Sequence, residues 1–291
     1  MTQHNETDVD RPKYELSEPC PVIGLHMMHA ALTPDRWDMH YGLEFGIVLS
    51  GGMRRFTATH ARDLAPGDVW LCSLWETHGY RIIAVPCEVV VLVLWPPALA
   101  GLRFEESPET QMMAPFLARP EARPVPDAAG RVELLGLGAR LRDVITSPAR
   151  PRAWLRLLAW EALLLLCERW RGRPTAGTLD DHRLIARALP LAFDAACHLN
   201  QEEVAAQCGL SRNAFARHFQ RAIGMSFATF ARRCRLSRAA RDLLASHSPL
   251  KHVATTWGFE DASHFCRIFR HTYGMTPATY RNGRRPEKQE A

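Results

Sequence analysis

Apolar and polar positions change period along this chain. Between residues 20 and 100 they form short β-branched or aromatic runs, FGIVLSG, RRFTATHARDLAPGDVWLC, YRIIAV and CEVVVLVLW, punctuated by Gly, Pro and Asp. That is the pattern of strands. Pro115 to Pro126 carries four prolines and reads as a connector. From Val132 the period becomes helical, first in VELLGLGARLRDVI and then from Ala153 to Trp170. The second helix is apolar on nearly every side and so must be buried, its equivalent in a second subunit being one surface that would cover it. RGRPTAGT at 171–178 has linker composition. Beyond it the periodicity is helical, broken at Gly209, Gly224, Pro249, Gly258, Gly274 and Gly283.

The C-terminal third contains an internal repeat. AFARHFQRAIGMSFATF (214–230) matches HFCRIFRHTYGMTPATY (264–280) at an offset of 50, pairing Phe215 with Phe265, Arg217 with Arg267 and Phe219 with Phe269. Upstream, EVAAQCGLS is echoed by HVATTWGFE, with one extra residue before the second aromatic helix. Each copy predicts a short helix, a turn at glycine and a second helix. In the first copy Val204 and Ala205 begin the apolar face, Gly209 supplies a positive φ, and Ser211 caps the next helix. Phe215 and Phe219 share one face of that helix, and Arg212, Asn213, Ala216, Arg217 and Gln220 lie opposite. The second copy buries Val253, Ala254, Phe265 and Phe269 and presents Ala262, Ser263, Cys266, Arg267 and Arg270. This is the outline of a helix-turn-helix. Ser226 to Ser246 holds no Gly or Pro and reads as one continuous helix between the copies, long enough to set both second helices against adjacent turns of one duplex.

Charge narrows the choice of partner. Residues 182–285 hold 16 Lys and Arg against 6 Asp and Glu, a balance of +10, while the whole chain carries only +5. A basic third within an otherwise acidic chain favours a polyanion. The histidines and cysteine of HFCRIFRHTYGMTPATYR do not suggest a metal site, because the twin segment replaces His264, Cys266 and His271 with Ala214, Ala216 and Arg221. The eight cysteines include no CxxC pair, which argues against a zinc ribbon or a disulfide framework.

LKHVATTWGFEDASHFCRIFRHTYGMTPATYR resembles the signature of the AraC/XylS family of bacterial transcription regulators, and the preceding repeat is similar to that family's first helix-turn-helix. The resemblance covers about residues 182–283. It implies two recognition helices in consecutive major grooves, with contacts at positions matching Asn213, Ala216 and Arg217, then Ala262, Ser263 and Arg267. Either arginine would bind a guanine edge bidentately or clamp a phosphate that carries no sequence information. The short Ala216 and Ala262 would pack on a thymine methyl. Arg232, Arg233, Arg235, Arg238 and Arg241 of the connecting helix are expected to support the fold or touch the DNA backbone.

The N-terminal half raises a separate question. In DMHYGLEFG, Asp38, His40 and Glu44 would share one face of an extended strand. The spacing resembles the first cupin motif with aspartate in place of its first histidine, and LAPGDVWLCSLWETH is similar to the second, with His78 at the histidine position. Asp38, His40, Glu44 and His78 would then form a mixed nitrogen and oxygen site suited to Fe(II), Mn(II) or Zn(II). The alternative is an organic effector in a pocket lined by Trp37, Trp70, Trp75 and Tyr80, or plain barrel core.

The expected fold class is α+β. A cupin-like β-barrel occupies 1–130, a helical dimerisation segment 131–172, a linker 173–181, an all-α double helix-turn-helix domain 182–285, and a tail 286–291. The expected function is sequence-specific transcription regulation, with double-stranded DNA, a small-molecule or metal effector, a second copy of the chain and, for an activator, RNA polymerase as partners. A metal-dependent cupin dioxygenase or isomerase fused to a DNA-binding module is the alternative, although nothing else in the chain supplies a substrate site. The start, MTQHNETDVDRPKYELSE, has no apolar run to serve as a secretion signal, so a cytoplasmic location away from the membrane is expected.

Overall fold

A computed structural model describes residues 14–102, 104–107, 110–170, 179–194, 199–273 and 275–282. The chain forms two compact units that divide between His182 and Arg183. The expected linker at 173–181 lies largely outside the described residues, as do Gly274, Gly283 and the tail.

The first unit is built on six antiparallel strands, β1 (Val22–His29), β2 (Arg36–Asp38), β3 (Leu43–Thr57), β4 (Ala61–Leu64), β5 (Val69–Cys72) and β6 (His78–Leu94). The short apolar runs do not all become separate strands. FGIVLSG and the start of RRFTATHARDLAPGDVWLC join in the 15-residue β3, and YRIIAV and CEVVVLVLW join in the 17-residue β6. β3 and β6 pair along nearly their whole length, with register shifts between Val48 and Met53. Gly51 adopts a positive φ within this irregularity, facing the Pro86 carbonyl. The glycine and proline that break the sequence pattern therefore mark bulges, where a strand bends without ending.

That bend folds the sheet over on itself. Beyond the bulge, β2 and β4 flank the β6–β3 pair; before it, β1 and β5 do so. Glu44 and Arg55 lie 11 residues apart on β3, about 36 Å if the strand were straight, yet their side chains meet at 2.7 Å.

Two short helices follow, α1 (Pro96–Ala100) and α2 (Ala114–Leu117), then a single 3₁₀ turn at Pro120–Ala122. The proline-rich connector is thus partly helical, because Pro suits the first turn of a helix. α3 (Ala128–Thr146) and α4 (Ala153–Arg169) form a hairpin packed on the sheet. At Gly24 and Gly138 a Cβ would collide with Ile145 and Leu49, so the hairpin approaches the strands closely. α4 is therefore covered mainly within its own unit, through Leu155, Leu158, Ala159, Ala162, Leu163 and Leu166. Its outer side leaves Trp154, Leu157 and Leu164 exposed.

The second unit is helical, comprising α5 (Leu179–Asp194) from Arg183 onward, α6 (Gln201–Gln207), α7 (Arg212–Ile223), α8 (Phe227–Ala245), α9 (Leu250–Thr256), α10 (Ala262–Tyr273) and α11 (Pro277–Arg281). α6–α7 and α9–α10 are the two repeats. Gly209 and Gly258 both adopt positive φ at the turns, 73° and 65°, where an L side chain would be strained. Ser211 accepts from the Ala214 amide as the cap of α7. In the second repeat the extra residue moves the cap to Asp261, which accepts from the His264 amide.

α8 is the predicted continuous helix, and it forms a wall of both repeats. Near its start Phe227 and Phe230 pack edge-on against Phe215 and Phe219. Near its end Leu236, Ala239, Ala240 and Leu243 join Val253, Phe265, Phe269 and Tyr280 in one core. Each short helix pair would be too small to bury its aromatic face alone.

Candidate DNA-reading helices and a buried polar cluster

α7 and α10 are two-faced in matching registers. Phe215 and Phe219 are fully buried, as are Phe265 and Phe269. On the outer faces Arg212, Asn213, Arg217 and Gln220 are exposed and Ala216 is half-buried; Ser263, Arg267 and Arg270 are exposed, and Ala262 and Cys266 half-buried. Among the described residues, Arg217 and Arg267 have no ion-pair partner. Gln220 is differently engaged: its amide donates to the Gly224 carbonyl at 3.0 Å and helps close the end of α7.

The arginines of α8 divide by role. Arg235 is buried, donates to the Gly258 carbonyl at 2.7 Å and lies over the Phe259 ring. Arg238 donates to the Phe193 carbonyl and lies over Trp257. These two join α8 to the second turn and to α5. Arg232 and Arg241 are exposed and Arg233 is half-buried.

In the first unit, Asp38, His40, Glu44 and His78 converge, each offering a ligand atom within 4.8 Å of the others. Asp38, His40 and Glu44 do not share the single strand expected from their spacing. Asp38 ends β2, His40 lies in the following loop and Glu44 is on β3. The loop turns His40 inward, while Asp38 is brought to His78 by direct cross-strand pairing. His40 Nε2 lies 3.1 Å, and His78 Nε2 3.4 Å, from Glu44 Oε2. Asp38 Oδ1 touches His78 Nε2, yet neither atom makes a hydrogen bond of sound geometry.

Sequence reasoning missed Arg55. Its guanidinium donates to Glu44 Oε1 at 2.7 Å and to Cys72 Sγ at 3.3 Å. Trp70 Nε1 also donates to Glu44 Oε1, at 2.6 Å. The one available signal was an arginine inside a strand otherwise bound for the core. Burial alone would raise the Glu44 carboxyl, but Arg55, His78 and ring hydrogen bonds hold it well below the usual carboxylate range. Burial opposes charge on His78, but the Cys72 sulfur and the Glu44 and Asp38 carboxylates lift its pKa well above the ordinary imidazole value.

Of the aromatic residues suggested for an effector pocket, Trp70 and Tyr80 pack in one hydrophobic cluster, and Trp37 pairs with Gly79, next to Tyr80. Trp70 lies flat over Gly46, where a Cβ would be 2.0 Å from the indole. Arg55 lies over Trp70 at 4.8 Å and 6.0 Å from the centre of Tyr80. Trp37 packs edge-on against Phe56, and the buried Trp75 sits in the loop after β5.

Comparison with known proteins bears on both units. Residues 204–283 match the family model described as a helix-turn-helix domain. The transcriptional activator RhaR of Pectobacterium atrosepticum is 30% identical over 144 residues, 48% of this chain and 51% of its own length. The matched region is similar to the helix-turn-helix region of AraC/XylS-type regulators. The chain spans only about half the length of that curated relative. ToxT of Vibrio cholerae is similar in fold, with a TM-score of 0.57 at 10% identity, covering 90% of this chain and 98% of ToxT. A second ToxT structure, with unsaturated fatty acid bound, has a TM-score of 0.51 at 10% identity over 89% of this chain and 93% of ToxT. An antiparallel-sheet unit followed by a helical double helix-turn-helix, the α+β class expected, is the shared fold.

Proposed function

We propose that the chain is a sequence-specific transcription regulator that binds double-stranded DNA through the outer faces of α7 and α10. The matched register of those faces carries this reading. In both repeats the inner side is fixed by two buried phenylalanines, while Arg217 and Arg267 stand exposed at equivalent positions. The basic excess of residues 182–285 supplies the long-range attraction. Arg212, Asn213, Arg217, Ser263, Arg267 and Arg270 contact bases or phosphates, Ala216 and Ala262 pack on thymine methyls, and Gln220 takes part only by giving up its contact with Gly224. α8, with 19 residues, is about 28 Å long, close to the roughly 34 Å between successive major-groove faces.

The sheet unit serves as the sensor. An effector that binds one of its arrangements more tightly shifts the population toward or away from the DNA-binding state. The fatty acid bound to ToxT supports a small-molecule ligand in this fold, with Trp37, Trp70, Trp75 and Tyr80 as nearby aromatics. A homodimer formed through α3 and α4 covers Val132, Leu135, Trp154, Leu157 and Leu164, which are exposed in the single chain. An activator of this kind engages RNA polymerase and works in the cytoplasm. Among the described residues no helix is long and apolar enough to cross a membrane.

Selection of bound duplexes from random DNA by the full-length protein tests the reading. The expected result is enrichment of one site with two elements about one helical turn apart. No enrichment, or binding that does not distinguish sequences across about 50–200 mM salt, refutes it. Turnover of a substrate by the protein would favour the enzyme reading instead.

A further inference from the structure

We propose that the first helix-turn-helix holds a binding site for a small organic anion, in a cavity between α6, α7 and α8 that Arg281 closes in the second repeat. The cavity measures about 430 Å³, within the roughly 300–1,000 Å³ of small-molecule sites. Asn200 and Gln201 line it from the head of α6, Arg212 from the first turn of α7, and Phe227, Ala231 and Arg235 from α8.

The internal repeat shows that this space is particular to the first copy. Ala231 matches Arg281 in the repeat, and Leu199 matches Ser248, each standing just before the cap of its short helix. In the second copy Arg281 Nη2 donates to the Ser248 carbonyl at 2.6 Å, and Nε to the Leu243 carbonyl at 3.2 Å. Its guanidinium therefore bridges the two positions whose matches, Ala231 and Leu199, line the cavity. Alanine is too short to make that bridge. Protein interiors pack closely, so the place that one repeat fills with its own side chain is left in the other for an occupant.

The walls select an anion with an apolar body. Arg212 and Arg235 line the cavity, and no Asp or Glu does. Arg235 is only 9% exposed, while the exposed Arg212 has no ion-pair partner among the described residues. Two guanidinium groups on one cavity repel each other, and a carboxylate or sulfonate relieves both while accepting their N–H bonds. The Asn200 side-chain carbonyl accepts from the Glu202 amide, which leaves its N–H groups as the part that can serve an anion. Phe227 and Ala231 are buried apolar residues, and a ring or short hydrocarbon covers them where a bare inorganic ion does not. A DNA phosphate is the competing occupant, since it brings the charge without the apolar body. Occupancy also engages Arg212, so the anion competes with DNA. That consequence rests on the proposed function, whereas the site itself does not.

The test uses full-length protein and para-fluorophenylacetate, followed by fluorine NMR in the absence of DNA. Saturable binding at about millimolar concentration or below is expected. The neutral para-fluorophenylacetamide, and inorganic phosphate measured by displacement, should each bind at least about tenfold more weakly. Ala231→Arg, which installs the closure of the second repeat, should lower probe affinity at least about tenfold with far-UV circular dichroism unchanged. Ala231→Leu fills the same space without a charge and takes its place if the arginine variant does not fold. The site would be overturned by a wild type that does not bind, by binding undiminished in the folded variants, or by phosphate binding as tightly as the probe. At matched salt, saturating probe should weaken binding of the selected duplex several-fold in the wild type and have no effect in Ala231→Arg. A wild type whose duplex affinity is unmoved would overturn the competition, and a protein that binds the probe but no duplex would count against the proposed function instead.

Discussion

Arg267 offers the sharpest test of how the second repeat meets DNA. It projects from α10 on the side away from Phe265 and Phe269, and no ion pair among the described residues has to be broken before it contacts a ligand. Arg267→Ala therefore removes a guanidinium without disturbing the core, and alanine favours the helix. If the side chain clamps one phosphate, the slope of log K against log salt falls by about 0.9. At about 0.15 M salt that slope corresponds to roughly a fivefold loss, equal for all sequences. If it grips a guanine edge bidentately, the loss is about 1–3 kcal/mol, or 5- to 150-fold, and is confined to the specific site. Arg267→Lys separates the cases, since a point charge restores the phosphate contact but not the fork. The assay is fluorescence anisotropy with the selected duplex and a scrambled one, each from about 50 to 200 mM salt. Unchanged affinity and slope in Arg267→Ala would refute the placement of α10 at DNA.

Three further outcomes follow from the packing. Arg55→Met strands the buried Glu44 carboxylate and should cost about 3–5 kcal/mol in urea unfolding; Arg55→Met with Glu44→Gln should recover part of it, and an additive double variant would contradict the pairing. Gly46→Ala forces a Cβ into the Trp70 indole and should destabilise the sheet unit by about 1–3 kcal/mol, with a change in tryptophan fluorescence; a neutral result would show that Trp70 moves freely. Leu157→Glu on the exposed side of α4 should convert a dimer to monomer in sedimentation velocity at micromolar concentration, and a wild-type monomer there would remove the dimer from the proposed function.

The helical unit was largely legible in the sequence, and the reason is local. Helix faces follow from a 3.6-residue period, caps and turns from single residues, and the repeat displays each signal twice. Ser211, Gly209 and the pair Phe215 and Phe219 have the places their spacing required. A fold-supporting role was expected of Arg235 and Arg238, but their acceptors, the Gly258 and Phe193 carbonyls, were not legible because they lie far along the chain.

In the sheet unit the sequence by itself determined which residues favour strands and singled out Asp38, His40, Glu44 and His78. It did not determine how they meet. The strand inferred to be shared by Asp38, His40 and Glu44 is replaced by a strand end, a loop and a second strand, and the bulges were mistaken for strand ends. Only the tertiary structure decided that β3 doubles back to bring Arg55 to Glu44, and that α3 covers one side of α4 while leaving Leu157 exposed. Local pattern records how each residue prefers to lie. Charge pairing across a folded sheet depends on register and bending, which the chain settles only when both halves come together.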